Sequence, residues 1–280
     1  GHLPAGGWGW QWAGDRDLGS GKEQPGGWIF AILPYIEETS FYNMAGDGSP
    51  NTMSEQQLEG AAMCIRNPIA SINCPSRRES RAYPMPWFGG NYRARNANGV
   101  GEAGRTCYGA NGGDNGLRHG SGPSSIEQGV DGSGFQYRHG ELSGVIFERS
   151  ETPLQKVTDG TSKTYLAGEK WVPVEHYASG NWASENETWN TGWNNDNYRI
   201  GKLNTFGTRD NDYIVPVRDN IRDPNGNIPG FHNNFGGPHT AGVMMLYVDG
   251  HVELVGYDIN RDVHAWNCNR ADGQVAQDPS

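Results

Sequence analysis

The chain has 280 residues, enough to bury a real core, and we expect one elaborated domain over residues 1–280. Its formal charge of −10 and pI near 5.2 argue against a nucleic-acid partner, because phosphate binding depends on clustered Lys and Arg. No stretch approaches the roughly 18–20 apolar residues that span a bilayer, and no signal peptide opens the chain. We therefore expect no membrane span in this form.

Glycine and proline are abundant, at 42 and 16 residues, which brings the composition near the range typical of disorder. The ten Trp, twelve Tyr and eight Phe oppose that trend, since large rings bury much apolar area per residue. The composition predicts long ordered loops around aromatic anchors.

The first 27 residues have no usable hydrophobic period and many turn formers, which predicts an aromatic-rich loop. Within it, Trp8, Trp10 and Trp12 alternate with other residues, so an extended chain would place all three indoles on one face. Three roles remain open for them: core packing, a protein–protein contact, or stacking on a glycan.

Two helical segments follow. Apolar residues at near-helical spacing around Pro34 indicate short helices, with the proline marking a kink or a helix start. Ser54, three residues before Gln57, forms a capping-box pattern for a helix through about Cys64, which Pro68 terminates.

Residues 76–144 are rich in Gly, Asn, Arg and Ser and predict a loop-rich insertion with isolated short strands. Strands are predicted at 142–147 and 164–171. Residues 243–255 form the clearest element, two β-rich runs joined by Asp-Gly, a sequence typical of a tight hairpin turn. The first run is apolar on both faces and should be internal to the sheet. Residues 259–266 form a final amphipathic segment.

The four cysteines, Cys64, Cys74, Cys107 and Cys268, match no zinc-binding spacing. We expect disulfides, with Cys64–Cys74 and Cys107–Cys268 favoured among three possible connectivities. The alternative is four buried free thiols, as in a cytosolic protein.

An oxygen-rich loop at residues 190–197 suggests a cation site. Asn194, Asn195 and Asp196 supply the hard oxygen ligands that Ca²⁺ prefers, although the spacing does not match an EF-hand. The alternative is a set of Asx-turns that stabilise a polar loop. Calcium is therefore a possible ligand and no cofactor is required.

His239 and Asp249 flank the first hairpin strand. A strand of that length spans about 20 Å, so the two side chains cannot share a metal within the hairpin. His239 is expected to hydrogen-bond a loop, while Asp249 and Gly250 make the turn. No nucleophile elbow, HExxH, P-loop or dinucleotide pattern is present in the sequence, so we expect a protein that is not an enzyme.

The C-terminal stretch FGGPHTAGVMMLYVDGHVELV resembles the H-x9-DG signature of the DUF1559 family, with nine residues between His239 and Asp249-Gly250. Other family-like segments follow the expected order along the chain: GHLPAGGWGW, WIFAILPYIEETSFYN, NCPSRR, YGANGG, DGTSKTYLAGEKW and TWNTGWNNDNYR.

The resemblance implies an α+β, pilin-like (pseudopilin-like) head with a central antiparallel sheet and long Gly-rich loops. Members of the family are typical of planctomycete-type bacteria and begin with a hydrophobic helix, which is absent here. An extracellular or cell-surface location is implied. We expect a non-enzymatic subunit of a surface assembly or filament that self-associates through Trp-rich loops. The alternative is an extracellular solute- or glycan-binding protein.

Overall fold

The architecture comes from a computed structural model that describes residues 1–114, 119–135, 142–203 and 213–274. It is mixed α+β, as the sequence predicts, with an antiparallel-rich sheet and short helices joined by long loops. The α-helices are α1 (Trp28–Ile32), α2 (Thr39–Met44), α3 (Glu55–Arg66), α4 (Ile126–Asp131) and α5 (Arg261–Cys268). Among the described residues, no helix combines the length and the apolar character needed to cross a bilayer.

Helix α3 begins and ends where the sequence predicts. The Ser54 hydroxyl accepts a hydrogen bond from the Gln57 amide at 3.2 Å, which satisfies one of the free N–H groups of the first turn. The helix ends before Asn67, whose side-chain amide donates to the carbonyl of Met63 at 2.7 Å. Pro34 lies in the first turn of a 3₁₀ helix, Leu33–Tyr35, and so marks a helix start.

Nine strands are described: β1 (Tyr83–Pro84), β2 (Glu102–Ala103), β3 (Tyr108–Asn111), β4 (Tyr165–Glu169), β5 (Tyr198–Arg199), β6 (Val217–Arg218), β7 (Gly236–Gly237), β8 (Gly242–Tyr247) and β9 (Val252–Gly256). Five of them form the main sheet in the order β5-β3-β4-β8-β9. Its pairs are antiparallel except β3–β5. The pairs β1–β2 and β6–β7 form two small ribbons.

The predicted hairpin is β8–β9, and β8 is an internal strand between β4 and β9. Gly250 has a φ of 96°, the left-handed conformation that a glycine adopts without strain. The Asp249 carboxylate accepts a hydrogen bond from the amide of His251 at 3.1 Å. The hairpin is present, but four residues, 248–251, separate its strands and Asp249 has no positive φ, so the turn is not the type I′ turn that Asp-Gly favours.

The strand predicted at 142–147 is wrong. This buried segment is irregular, and the amides of Val145 and Ile146 both donate to the carbonyl of Asn111, each at 3.2 Å. A side chain at Gly144 would meet the backbone of Gly112 at 2.3 Å, so the segment crosses the end of β3 at close range. Its apolar residues are buried by this crossing and not by strand pairing.

Helices cover part of each face of the sheet. On one face Val243, Met245 and Tyr247 pack with Tyr165 and Phe235 beneath α5. On the other face, the apolar residues of α1 and the helices after it form a second cluster with residues of β3 and β4. The end of β4 lies near the loop before β8, and these two segments position the side chains of the candidate site.

Candidate functional site

Three donor atoms converge at the end of β4. The Glu169 Oε1 lies 3.3 Å from the His239 Nε2, and the Cys74 Sγ lies 3.9 Å from that same nitrogen. All three donor atoms lie within 4.8 Å of one another. We refer to Cys74, Glu169 and His239 as the donor cluster.

Three separate segments supply the donor cluster. Cys74 follows a 3₁₀ helix, Glu169 ends β4, and His239 lies in the loop between β7 and β8. The second oxygen of Glu169 accepts a hydrogen bond from the amide of Met244 at 3.0 Å, which fixes the carboxylate. The Tyr257 hydroxyl donates to the carbonyl of His239 at 2.9 Å and holds the loop in place.

The donor cluster is buried at one end and open at the other. Cys74 and Glu169 are almost wholly buried, whereas the His239 side chain is 35% exposed. Within 4.0 Å, the only ionic partner of Glu169 in the described part of the chain is His239. Burial first, and the charge of Glu169 second, raise the pKa of the Cys74 thiol.

This arrangement differs from a catalytic relay. In a relay the acid holds one imidazole nitrogen and the nucleophile meets the other. Here the carboxylate and the thiol both lie nearest the Nε2 of His239. The raised pKa of Cys74 also opposes thiolate formation. The geometry is that of donors converging on one point.

A second group of ionisable side chains lies close by, and all of its charges are paired. Glu185 forms salt bridges with both Arg78 and Lys170, and Arg77 meets Asp219 at 2.9 Å. Burial alone would raise the pKa of Glu185, but the two cations lower it to about 2. We refer to these five residues as the ion cluster.

The oxygen-rich loop is turned inward. Asn194, Asn195 and Asp196 are buried. The Asn194 side-chain oxygen accepts from the amide of Asp196 at 2.7 Å, the Asp196 carboxylate accepts from the amide of Glu187 at 3.0 Å, and the Lys170 ammonium donates to the Asp196 carbonyl at 2.6 Å. These contacts match the Asx-turn alternative, and calcium binding here stays a prediction.

The tryptophans of the N-terminal loop are largely internal. Trp8 and Trp12 are fully buried and pack edge to face, with ring centroids 4.9 Å apart, while Trp10 is partly buried and stacks on Phe88. Trp8 and Trp12 therefore present no surface to a neighbouring subunit or a sugar. The core alternative describes both of them.

The predicted disulfides are absent, which corrects the expectation from the sequence. Cys64, Cys74, Cys107 and Cys268 are buried free thiols. Each thiol has different neighbours. Cys64 lies against the Phe41 carbonyl, and Cys74 belongs to the donor cluster. Cys107 and Cys268 lie elsewhere. Burial is typical of free cysteine side chains.

The family motif divides between two places. His239 joins the donor cluster, whereas Asp249 and Gly250 stay in the hairpin turn, as the strand length predicts. The partners of His239 were not predicted from the sequence, because Cys74 and Glu169 are distant from it along the chain. A signal was present: each donor lies inside a segment that carries the family resemblance, NCPSRR, DGTSKTYLAGEKW and FGGPHTAG.

An apolar patch covers the outer face of the hairpin. The residues of β8 and β9 that face away from α5 form two register pairs, Met244 with Leu254 and Leu246 with Val252. Val252 and Leu254 are 54% and 52% exposed, and Met244 is 37% exposed. We call these four residues the β8–β9 patch.

A comparison with protein-family models matches residues 1–262 to SBP_bac_10, described as "Protein of unknown function (DUF1559)". No curated protein and no solved structure matches the chain.

Proposed function

Since the chain belongs to the DUF1559 family, we propose that it is a non-enzymatic, extracellular structural subunit that self-associates through the β8–β9 patch. The observation that carries this proposal is the exposure of apolar residues in two register pairs between β8 and the last strand of the sheet, β9. Contiguous exposed apolar surface of this kind typically marks an interaction site.

The sheet edge adds a second argument. Strand β9 ends the sheet order, so its outer edge carries backbone groups that no further strand of the described residues pairs. An unpaired strand edge offers backbone groups for pairing with another chain, and Glu253 is the charged residue on this edge strand. The outer face of β9 carries Val252 and Leu254, so a second copy related by two-fold symmetry would bury the same patch from both sides.

The solute-binding alternative rests on a different surface. A cavity of about 370 Å³ lies beside β9 and α5, lined by Lys163, Tyr247, Glu253 and Asp258 among others. That volume suits a small solute. Its walls contain none of the tryptophans from which the sequence predicts ligand stacking.

The matched pair Leu254→Glu and Leu154→Glu tests the proposal by sedimentation velocity across a range of concentrations. The two leucines are 52% and 51% exposed, and only Leu254 belongs to the patch. We expect the unaltered chain and Leu154→Glu to associate reversibly and Leu254→Glu to remain monomeric. An unaltered chain that stays monomeric at millimolar concentration contradicts the proposal, and dissociation by both variants excludes the patch as the interface.

A further inference from the structure

We propose that Cys74, Glu169 and His239 bind one divalent transition-metal ion of the Zn²⁺ type. The proposal rests on the convergence of a thiol, a carboxylate and an imidazole at one point, described above. The site lies within a single chain, so it does not depend on self-association.

The donor spacing fits a tetrahedral ion. With bonds of about 2.0–2.3 Å to zinc, neighbouring ligand atoms lie roughly 3.3–3.6 Å apart. The Nε2 of His239 lies 3.3 Å from the carboxylate oxygen of Glu169 and 3.9 Å from the sulfur of Cys74. The sulfur would have to move about 0.3 Å closer to the nitrogen, and it lies within 4.8 Å of the carboxylate oxygen of Glu169.

The donor types favour Zn²⁺ over Ca²⁺. Calcium takes six to eight oxygen ligands, whereas zinc accepts a mixture of sulfur, nitrogen and oxygen. On binding, the Cys74 thiol would release its proton to solvent, so that thiolate and carboxylate together carry two negative charges. Those charges match a divalent ion, and the imidazole of His239 binds as a neutral ligand.

The surroundings are those of a prepared site. The Met244 amide holds the second oxygen of Glu169 and leaves the first directed at His239. Such outer hydrogen bonds orient metal ligands and are common around metal centres. A side chain at Gly237 would approach the Glu169 carboxylate at 2.9 Å, so the glycine leaves room beside that ligand.

The ion would have one position open to solvent. Three protein ligands leave a fourth tetrahedral position, and the partly exposed ring of His239 is the side from which water can reach it. The ion would tie together the segment after the 3₁₀ helix at 70–72, strand β4 and the loop before β8. We therefore expect metal binding to stabilise the folded chain by mass action.

The test is titration of the reduced, chelator-treated full chain with ZnCl₂ by isothermal calorimetry, with thermal melting on the same samples. We expect one equivalent to bind and the melting temperature to rise. Co²⁺ in place of Zn²⁺ should give a sulfur-to-cobalt charge-transfer band. CaCl₂ at the same concentration should not displace Co²⁺ from the donor cluster or remove the sulfur-to-cobalt band.

Three variants remove one ligand each: Cys74→Ser, Glu169→Gln and His239→Gln. Each should weaken binding by at least about 100-fold, more than the loss of an outer-shell partner costs, and Cys74→Ser should abolish the cobalt–sulfur band. Two controls make matched substitutions outside the donor cluster. Cys64→Ser changes another buried thiol, and His251→Gln changes another histidine whose side chain is 35% exposed.

Both controls should bind like the unaltered chain. Melting of the metal-free proteins separates lost folding from lost ligation, and His239→Gln, at a partly exposed position, provides the test if a buried variant fails to fold. Failure of the unaltered chain to bind Zn²⁺, or tight binding that survives in all three ligand variants, overturns the proposal.

Discussion

The donor cluster and the ion cluster lie side by side but are built on opposite principles. In the ion cluster each charged side chain contacts one of opposite sign, and Arg78 and Lys170 share Glu185. In the donor cluster a buried carboxylate faces a thiol and an imidazole, and no Lys or Arg of the described residues bridges it. The first arrangement stabilises a fold, whereas the second is suited to a bound cation.

Two consecutive residues show how one strand serves both clusters. Glu169 ends β4 and Lys170 follows it, and successive side chains of an extended chain point to opposite sides. The Glu169 carboxylate therefore joins the donor cluster while the Lys170 ammonium bridges Glu185 in the ion cluster. A shift of one residue in the register of β4 would exchange the two and destroy both clusters.

The largest effect that separates the two clusters should come from two matched carboxylate-to-amide changes. Glu185→Gln leaves Arg78 and Lys170 buried without a counter-charge and should lower the free energy of unfolding by about 3–5 kcal/mol. Glu169→Gln, in chelator, keeps an oxygen that accepts from the Met244 amide and should change it by no more than about 1 kcal/mol. Urea unfolding measures both, and equal losses would remove the distinction between the clusters.

A smaller effect should come from His264, a fully buried imidazole that has no ionic partner among the described residues. Burial lowers its pKa from the ordinary 6.5 to about 3, so between these values the unfolded chain binds a proton that the folded chain does not. Stability from this residue is therefore present above pH 6.5 and is lost as the pH falls toward 3, by up to about 1.4 kcal/mol per pH unit.

Urea unfolding at pH 7, 6, 5 and 4 checks this slope against the variant His264→Phe. The variant should lose stability less steeply than the unaltered chain below pH 6.5. Parallel curves for the unaltered chain and His264→Phe would show that His264 does not titrate as its burial requires.

The smallest effect concerns redox state. A disulfide between Cys64 and Cys74 would remove the sulfur from the donor cluster, so the donor cluster requires Cys74 to be a free thiol. We expect four reactive thiols per chain in the denatured, unreduced protein and no change of melting temperature with reductant in chelator. Recovery of two thiols or none would restore the disulfides that the sequence suggested.

Local patterns in the sequence predicted local structure well. The Ser54 cap, the helix start at Pro34 and the Asp-Gly hairpin depend on residues close in the chain, and all three are present. The strand predicted at 142–147 is wrong because the apolar residues of this segment are buried by a backbone crossing with Gly112, which no local pattern encodes.

The donor cluster and the ion cluster could not be predicted from local patterns either, because their members are distant along the chain. Cys74 and His239 are 165 residues apart, and only the order of strands in the sheet brings them together. The ion cluster likewise joins Arg78 to Glu185 across 107 residues. When the contacts of a charged residue are unknown, the sequence alone predicts that it lies on the surface, where most charged residues lie.

X-ray absorption spectroscopy of the zinc-loaded full chain tests the central claim most directly, because it reports the atoms bound to the metal. The account predicts one sulfur at about 2.3 Å and nitrogen or oxygen ligands at about 2.0–2.2 Å, with the sulfur shell lost in Cys74→Ser and retained in Cys64→Ser. A coordination shell of oxygen and nitrogen alone in the unaltered chain, or a sulfur shell that persists in Cys74→Ser, would contradict it.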